Sequence, residues 1–268
     1  MSNLDQLNLP IALITGASSG LGAIFARQLA EQGYSLLLVA RRAERLEALA
    51  AEIRGQHNIP IEVFPADLSL DTDLDRLEQR IGELESLELL VNNAGFSTVG
   101  KFASVLPEKH RRMINVHLMT TVRLTHAALP RMLERHTGGI INVASLAAFF
   151  PLIGNSVYCA TKSALVAFTL ALAIELDGSG VQVQALCPGF IYTEFHETPE
   201  HKQIKRSYIP KFMLGQAEPV VTASLKALHR GQVVCIPGRL NKFLSVFGRN
   251  QVFLPAVMFV LKRALRKA

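Results

Sequence analysis

The stretch Thr15–Gly22 (TGASSGLG) decides the fold of this chain. It follows a short apolar run, 10–15 (PIALIT), and leads directly into a helical pattern of apolar residues. An apolar run of that length before a turn is typical of a buried parallel strand. In a strand–turn–helix unit, Gly16 permits the tight turn, Gly20 lets backbone approach a pyrophosphate, and Gly22 lets the helix pack closely on the strand. Because the helix N-terminus then faces the anion, the stretch predicts a dinucleotide phosphate site.

Strand-like and helical runs alternate along the rest of the chain. The strand-like runs are 10–15, 35–40, 61–65, 88–91, 139–144, 181–186 and 233–236. The helical runs are 23–32, 43–54, 71–84, 108–134, 156–176 and one that ends near 229. This alternation predicts an α/β fold: a Rossmann-type doubly wound parallel sheet, flanked by helices on both faces, in a single domain. We place that domain at 1–238, with a substrate lid at about 191–216, and treat 239–268 as a C-terminal extension.

Composition and charge narrow the classes of partner. Hydrophobic residues make up 49% of the chain and the mean hydropathy is +0.25, enough for a large core. The net charge of +6 divides into +9 after Glu218 and −3 before it, so a nucleic-acid partner for the main domain is not predicted. The three cysteines lack metal-ligand spacing, and we expect reduced thiols. The N-terminus lacks a basic-then-apolar secretion signal, and we expect a cytoplasmic protein.

Tyr158 and Lys162 stand four residues apart in the helical run 156–176. Residues four apart share one helix face, with about 5–6 Å between their Cβ atoms. A cation that close stabilises a phenolate, so we expect Lys162 to lower the tyrosine pKa from about 10 toward neutrality. Ser145 follows the strand-like run 139–144, at the sheet edge where open α/β folds bind ligands. The three side chains predict an acid/base and a hydrogen-bond donor beside a bound ligand.

Arg41 and Arg42 directly follow the second strand-like run, 35–40. In a dinucleotide fold, an acidic residue at this point binds the adenosine ribose hydroxyls, whereas arginine accommodates a 2′-phosphate. Two arginines without an acid therefore favour NADP over NAD as the cofactor. The alternative is a pair of solvated charges at the start of a helix.

Together these motifs resemble the short-chain dehydrogenase/reductase family, in its ordinary-length, NADP-preferring branch, from about Leu9 to about Thr193. The resemblance implies a catalytic tetrad of Asn115, Ser145, Tyr158 and Lys162. It also implies a set of cofactor-binding residues: Gly16, Ser18, Ser19, Gly20, Leu21, Gly22, Arg41, Arg42, Asp67, Leu68, Asn93, Ala94, Gly95, Tyr158, Lys162, Pro188, Gly189, Ile191 and Thr193.

The implied activity is the NADP-dependent interconversion of a carbonyl and a secondary alcohol by hydride transfer. Tyr158 would be the general acid/base, and Ser145 would hydrogen-bond the carbonyl oxygen. By resemblance, Lys162 would also hold the nicotinamide ribose, and Asn115 would position a water that links Lys162 to solvent. Two alternatives are an extended member of the superfamily that modifies nucleotide sugars and a non-catalytic NADP-binding sensor or scaffold. The glycine spacing disfavours the first, and the filled tetrad disfavours the second.

The sequence leaves the substrate open. Apolar residues follow Ser145 and recur in the lid: Leu146, Phe149, Phe150, Leu152, Ile153, Phe195, Phe212 and Met213. They would suit an acyl, lipid or steroid-like carbonyl, or they could equally form core or an interface. The basic lid residues Lys202, Lys205 and Arg206 could attract a phosphate-bearing acyl carrier, although a solvated face is the expectation.

The C-terminal extension, 239–268, is both basic and apolar. Its uncharged apolar run, 252–261, spans ten residues and contains Pro255, and a bilayer crossing needs about 20 residues. We expect the extension to pack on the body or on a partner subunit, with an anionic membrane surface as the alternative. The family resemblance implies a homodimer or homotetramer.

Overall fold

The computed structural model describes residues 4, 9–98, 100–191 and 215–249, which form an open parallel sheet with helices on both faces. The strands in this part of the chain are β1 (Ile11–Thr15), β2 (Ser35–Ala40), β3 (Ile61–Pro65), β4 (Leu87–Asn92), β5 (Gly138–Val143), β6 (Val181–Leu186) and β7 (Val234–Cys235). β1 and β2 are buried along their whole length, as expected for continuous apolar runs between two helix layers. The predicted fold class is confirmed.

The strand order β3-β2-β1-β4-β5-β6-β7 locates the ligand crevice. The chain builds the sheet outward from β1 toward β3, then returns and builds it outward from β4 toward β7. The order therefore reverses between β1 and β4, which pair directly with each other. Open α/β sheets bind ligands beyond the carboxyl ends of the strands at such a reversal.

Two helix layers cover the sheet. The helices are α1 (Gly20–Glu31), α2 (Ala43–Arg54), α3 (Asp71–Glu83), α4 (Pro107–Ile114), α5 (Thr120–Glu134), α6 (Ser156–Glu175), α7 (Ala217–His229) and α8 (Arg239–Arg249). Buried residues of α1, α2 and α7 share one apolar cluster with the sheet, and those of α3, α5 and α6 share another. The apolar faces that the sequence pattern predicted thus pack against opposite sides of the same strands.

The helix predicted at 108–134 is not continuous. A π-helical turn, Asn115–Met119, separates α4 from α5. A π-helical turn widens the helix by about one residue and often occurs at functional sites. Sequence periodicity did not indicate this interruption, because helical hydrophobic spacing continues on both sides of it.

Among the described residues, α6 is the one helix that is long and apolar enough to cross a membrane. Its buried residues include Thr161, Lys162 and Leu165, and it contacts β5 and β6. One side of α6 thus packs on the sheet, while Leu170 and Ile174 are exposed.

The lid and the tail fall largely outside the described residues. Ile191 and Gly215, at the two ends of the predicted lid, lie side by side as a parallel bridge. The predictions that lie outside the described residues concern Thr193, Phe195, Lys202, Lys205, Arg206, Phe212, Met213 and the run 252–261. The division of the chain into 1–238 and 239–268 stays a prediction.

Candidate active site

The glycine-rich loop has the backbone that its sequence requires. Gly16 and Gly20 have φ of +68° and +57°, values that L side chains rarely adopt. At Gly22, an added Cβ would lie 2.3 Å from the Gly16 carbonyl oxygen, so the start of α1 packs directly on the loop. Ser18, Ser19 and Leu21 are half-buried along the same turn. The backbone of the loop thus packs closely at the N-terminus of α1, where free N–H groups can bind a phosphate.

Side-chain hydrogen bonds join the carboxyl ends of β1 and β4 across the crevice. Thr15 Oγ1 accepts from the backbone N–H of Asn93 at 2.9 Å and of Ala94 at 3.0 Å. Asn93 Nδ2 in turn donates to the Thr15 carbonyl oxygen at 2.8 Å. These bonds fix the position of Gly95, which follows on an exposed part of the loop. Asn93 and Ala94 therefore pack directly against the glycine-rich loop.

Arg42 contacts the glycine-rich loop directly. Its guanidinium donates to the hydroxyls of Ser18 at 3.0 Å and Ser19 at 2.8 Å. Arg41 is exposed beside it at the carboxyl end of β2. Both arginines thus lie just after the carboxyl end of β2, with Arg42 hydrogen-bonded to the loop, and their role toward a 2′-phosphate stays a prediction.

Asp67 lies close to these arginines, after β3. Its carboxylate accepts from the Ser69 backbone and hydroxyl and from Arg112 at 2.5 Å. Burial alone raises the pKa of Asp67, but the Ser69 hydrogen bonds and the charges of Arg112 and Arg41 lower it below the ordinary value. Leu68, next in the chain, is buried. Asp67 is therefore an ionised acceptor at this end of the crevice.

Ser145, Tyr158 and Lys162 come together beyond β5. Ser145 lies two residues beyond the end of β5 and is hydrogen-bonded to Tyr158, on the first turn of α6. Lys162 Nζ lies 5.7 Å from the centroid of the Tyr158 ring and donates to the Val143 carbonyl oxygen at 2.7 Å. The three predicted side chains thus form one cluster at the carboxyl edge of the sheet.

The structure contradicts the expectation that the Tyr158 pKa lies near neutrality. Burial raises the pKa of Tyr158 to about 12, and the hydrogen bond with Ser145 offsets part of that rise. Burial also lowers the pKa of Lys162 to about 7, so the lysine is only partly cationic at neutral pH. The sequence argument counted the charge of the lysine and could not count the burial of both groups.

His117 belongs to this cluster, and sequence reasoning missed it. Its Nε2 accepts from the Phe96 N–H at 3.0 Å, and its Nδ1 lies 2.9 Å from Thr161 Oγ1. Because the Thr161 hydroxyl already donates to the Tyr158 carbonyl oxygen, Nδ1 must carry the proton and donate. Burial, and then the charge of Lys162, lower the pKa of His117 well below its usual range. His117 is therefore a neutral imidazole with both nitrogens engaged.

The ring of His117 packs directly on the reactive side chains. Its centroid lies 5.7 Å from that of Tyr158, in an edge-on arrangement. A Cβ added at Gly95 would lie 3.0 Å from His117 Nε2 and 3.7 Å from Lys162 Nζ, so both side chains lie close to Gly95. The signal that could have identified His117 is a histidine within an otherwise apolar helical segment, although such a residue is common in ordinary cores.

Asn115 stands two residues before His117, at the start of the π-helical turn. It lines a cavity of about 270 Å³ with Asp67, Arg111 and Arg112 among its neighbours. The structure brings Ser145, Tyr158 and Lys162 together, and the catalytic role of Asn115 beside them stays a prediction.

The segment after β6 closes the cluster on its remaining side. The Pro188 carbonyl oxygen accepts from the Leu146 N–H at 2.8 Å, which joins this segment to the turn after Ser145. Gly189 packs on the side chain of Asn241, since a Cβ there would lie 2.6 Å from Asn241 Nδ2. Ile191 is buried at the start of the predicted lid.

Comparisons with known proteins identify relatives of the whole chain. The chain matches the short chain dehydrogenase family over residues 10–204. An uncharacterized oxidoreductase of Staphylococcus epidermidis is 36% identical over 197 residues, which are 73% of this chain and 84% of that protein. The structure of a short-chain dehydrogenase from Sphingobium yanoikuyae in complex with NADPH has a TM-score of 0.81 and 34% identity, covering 92% of this chain and 96% of that one.

A second solved structure is similar over nearly the same length. It is an alcohol dehydrogenase from Comamonas testosteroni described as specific for bulky-bulky ketones, with a TM-score of 0.77 and 32% identity. It covers 88% of this chain and 91% of its own. From the family match, the relatives and the cluster at the sheet edge together, the chain belongs to the short-chain dehydrogenase/reductase family of oxidoreductases.

Proposed function

We propose that this protein interconverts a carbonyl and a secondary alcohol with NADP as cofactor. The observation that carries the proposal is the cluster of Ser145, Tyr158 and Lys162 at the carboxyl edge of the sheet, beside a glycine-rich loop. The closeness of Gly22 to the Gly16 carbonyl oxygen supports a bound dinucleotide, because this packing holds the N-terminus of α1 at the loop, where backbone N–H groups can bind a pyrophosphate. When bound, the nicotinamide supplies or accepts the hydride.

The protein's own groups handle the charge and the proton. Ser145 donates a hydrogen bond to the substrate oxygen, where negative charge develops during reduction. Tyr158 gives that oxygen a proton, and its raised pKa of about 12 keeps it in the protonated form that a general acid needs at neutral pH. Lys162 holds the ribose and, with a pKa of about 7, can return a proton toward Tyr158.

The preference for NADP rests on Arg41 and Arg42. A 2′-phosphate carries close to two negative charges near neutrality, and a guanidinium binds phosphate through two parallel N–H groups. Arg42 already contacts the loop hydroxyls of Ser18 and Ser19, whereas Arg41 is exposed next to them. The similarity to the NADPH complex from Sphingobium yanoikuyae supports the same choice.

Only some of the apolar residues after Ser145 are free of the core and could contact a substrate. Leu146 and Phe149 are buried in a core cluster with Leu165 and Val166, and they are structural. Phe150 is only partly buried, and Ile153 is exposed. We propose that this second pair faces a bulky, apolar carbonyl compound, in keeping with the ketone specificity described for the relative from Comamonas testosteroni.

The experiment is NADPH oxidation across a panel of aldehydes, ketones and 3-oxoacyl thioesters, with the wild type and Tyr158→Phe. The variant should lose about 10²–10⁴-fold in kcat, the usual contribution of a general acid, and keep NADPH binding. Tyr34→Phe, on a tyrosine packed at the start of β2, is the matched control and should keep full activity. An inactive wild type that binds NADPH tightly would favour the sensor or scaffold instead, and a variant with more than about a tenth of wild-type kcat would contradict the role of Tyr158.

A further inference from the structure

The helix α8 has three apolar side chains that face away from the body of the protein. Leu240, Phe243 and Val246, spaced three apart and therefore on one face, are 43%, 59% and 62% exposed. The rings of Phe243 and Phe247 pack against each other at 4.7 Å between centroids. A surface helix of a globular protein normally buries such a face, so this arrangement requires an explanation.

The side of α8 that contacts the body carries Leu244 together with small and polar residues. Asn241 packs on Gly189, and Ser245 is buried. A Cβ at Gly248 would lie 2.2 Å from the Phe149 carbonyl oxygen, so the helix backbone itself lies against the loop after β5. These contacts fix α8 on the body with Leu240, Phe243 and Val246 outward.

Charge narrows the choice of what could cover this face. Arg239 and Lys242 are exposed on the same helix, and no acidic residue follows Glu218 in the sequence. A second copy of α8 would bring cations against cations. The residues that follow, 250–268, are also basic, with Lys262, Arg263, Arg266 and Lys267 and no acid, so they offer no complementary charge either.

An anionic bilayer surface satisfies both properties at once. Aromatic and aliphatic side chains enter the boundary between headgroups and acyl chains, while Lys and Arg remain among the anionic headgroups. We propose that α8 docks the protein peripherally on an anionic lipid surface through Leu240, Phe243 and Val246, with Arg239 and Lys242 at the headgroups. This differs from the packing expected from the sequence, because the structure leaves these three apolar side chains outward. The proposal does not depend on the proposed catalytic activity.

The test is co-sedimentation of the full chain with vesicles of phosphatidylcholine alone and of phosphatidylcholine with phosphatidylglycerol. We expect the wild type to bind the second kind, and binding to weaken as salt rises, because the attraction between exposed charges is screened. Phe243→Glu should weaken binding by at least about tenfold, since it removes an inserted ring and adds a repelled charge. Phe243→Leu should keep most of the wild-type vesicle binding, because it keeps an apolar side chain at this position.

The matched control is Phe102→Glu, which alters a phenylalanine of similar exposure, 64%, outside α8. It should bind vesicles like the wild type, and thermal unfolding should show that every variant is folded. Absence of wild-type binding, equal binding to both vesicle types, or equal losses in Phe243→Glu and Phe102→Glu would each overturn the proposal. Dissociation of an oligomer by Phe243→Glu in sedimentation velocity, without vesicle binding by the wild type, would identify the face as a contact between copies instead.

Discussion

Lys162 is held in the site at an electrostatic cost. The side chain is 5% exposed, and burial lowers its pKa from the ordinary 10.5 to about 7. Below pH 7 the lysine is protonated in both the folded and the unfolded chain, and the folded state then carries a buried cation. As pH rises from about 7 to 10.5, the folded protein has lost the proton while the unfolded chain keeps it, so this destabilisation is relieved only across that window. Lys162, which we propose acts in catalysis, thus opposes folding at neutral pH.

Lys162→Met should therefore raise the free energy of unfolding at pH 7 and below, by on the order of a few kcal/mol. The gain should shrink toward pH 10.5, where the wild-type lysine no longer differs between the two states. Urea unfolding at a series of pH values measures this difference. Lys101→Met, at an exposed lysine, is the control and should show no such dependence. Parallel stability curves for wild type and Lys162→Met would contradict the lowered pKa.

Arg41 and Arg42 differ in what they contact, and their variants should differ accordingly. Arg41→Ala should weaken NADPH binding by roughly 10- to 100-fold and leave NADH largely unchanged, because one hydrogen bond to a charged group contributes about 1.5–3 kcal/mol. Arg42→Ala should be milder toward NADPH, and because Arg42 binds Ser18 and Ser19, it should affect NADH as well. Fluorescence titration with both cofactors measures the effects, with Arg45→Ala, on the same helix, as control. Equal wild-type kcat/KM for NADPH and NADH would contradict the assignment.

At the scale of elements, the π-helical turn between α4 and α5 brings His117 beside Tyr158. His117, within this turn, connects the loop after β4 to α6 through Phe96 and Thr161. We propose that it is a positioning residue that holds Tyr158 and Lys162 against Gly95. Its neutral state suits a site that already contains the buried Lys162, since a second cation there would be destabilising.

His117→Ala should lower kcat by about tenfold or more with little change in the KM for NADPH, because the Phe96 N–H and the Thr161 hydroxyl lose their partner. His117→Asn should recover much of kcat, since an amide also offers one donor and one acceptor side. The pH profile of kcat should stay the same in His117→Asn, because the neutral imidazole does not titrate in the working range. Asn115→Ala tests the predicted tetrad role of Asn115 separately. Wild-type kcat in His117→Ala would contradict the positioning role of His117.

At the scale of the whole molecule, the parallel sheet gathers residues from five distant parts of the chain. The loop after β1, the ends of β2, β4 and β5, and the first turns of α6 all meet at the carboxyl edge. The net charge is unevenly distributed along the chain, with −3 up to Glu218 and +9 after it. The basic part includes α8, which lies against Gly189 and Phe149 at the border of the site.

The sequence by itself determined the alternating strands and helices, the glycine-rich loop and the pairing of Tyr158 with Lys162. These features depend on local spacing: apolar runs, glycines where φ is positive, and a four-residue interval on one helix face. Strand 35–40 and helix 43–54 were predicted to the residue, because Arg41, Arg42 and Gly55 interrupt the apolar pattern sharply.

Only the tertiary structure decided which face of each helix meets the site and what burial does there. His117, within the π-helical turn, has its ring 5.7 Å from that of Tyr158, a contact that helical periodicity did not indicate. Packing raises the pKa of Tyr158 although a lysine stands four residues away, because desolvation of both groups outweighs their attraction. The outward face of α8 was equally hidden, since hydrophobic spacing predicts that a helix has an apolar side but does not say which way that side points.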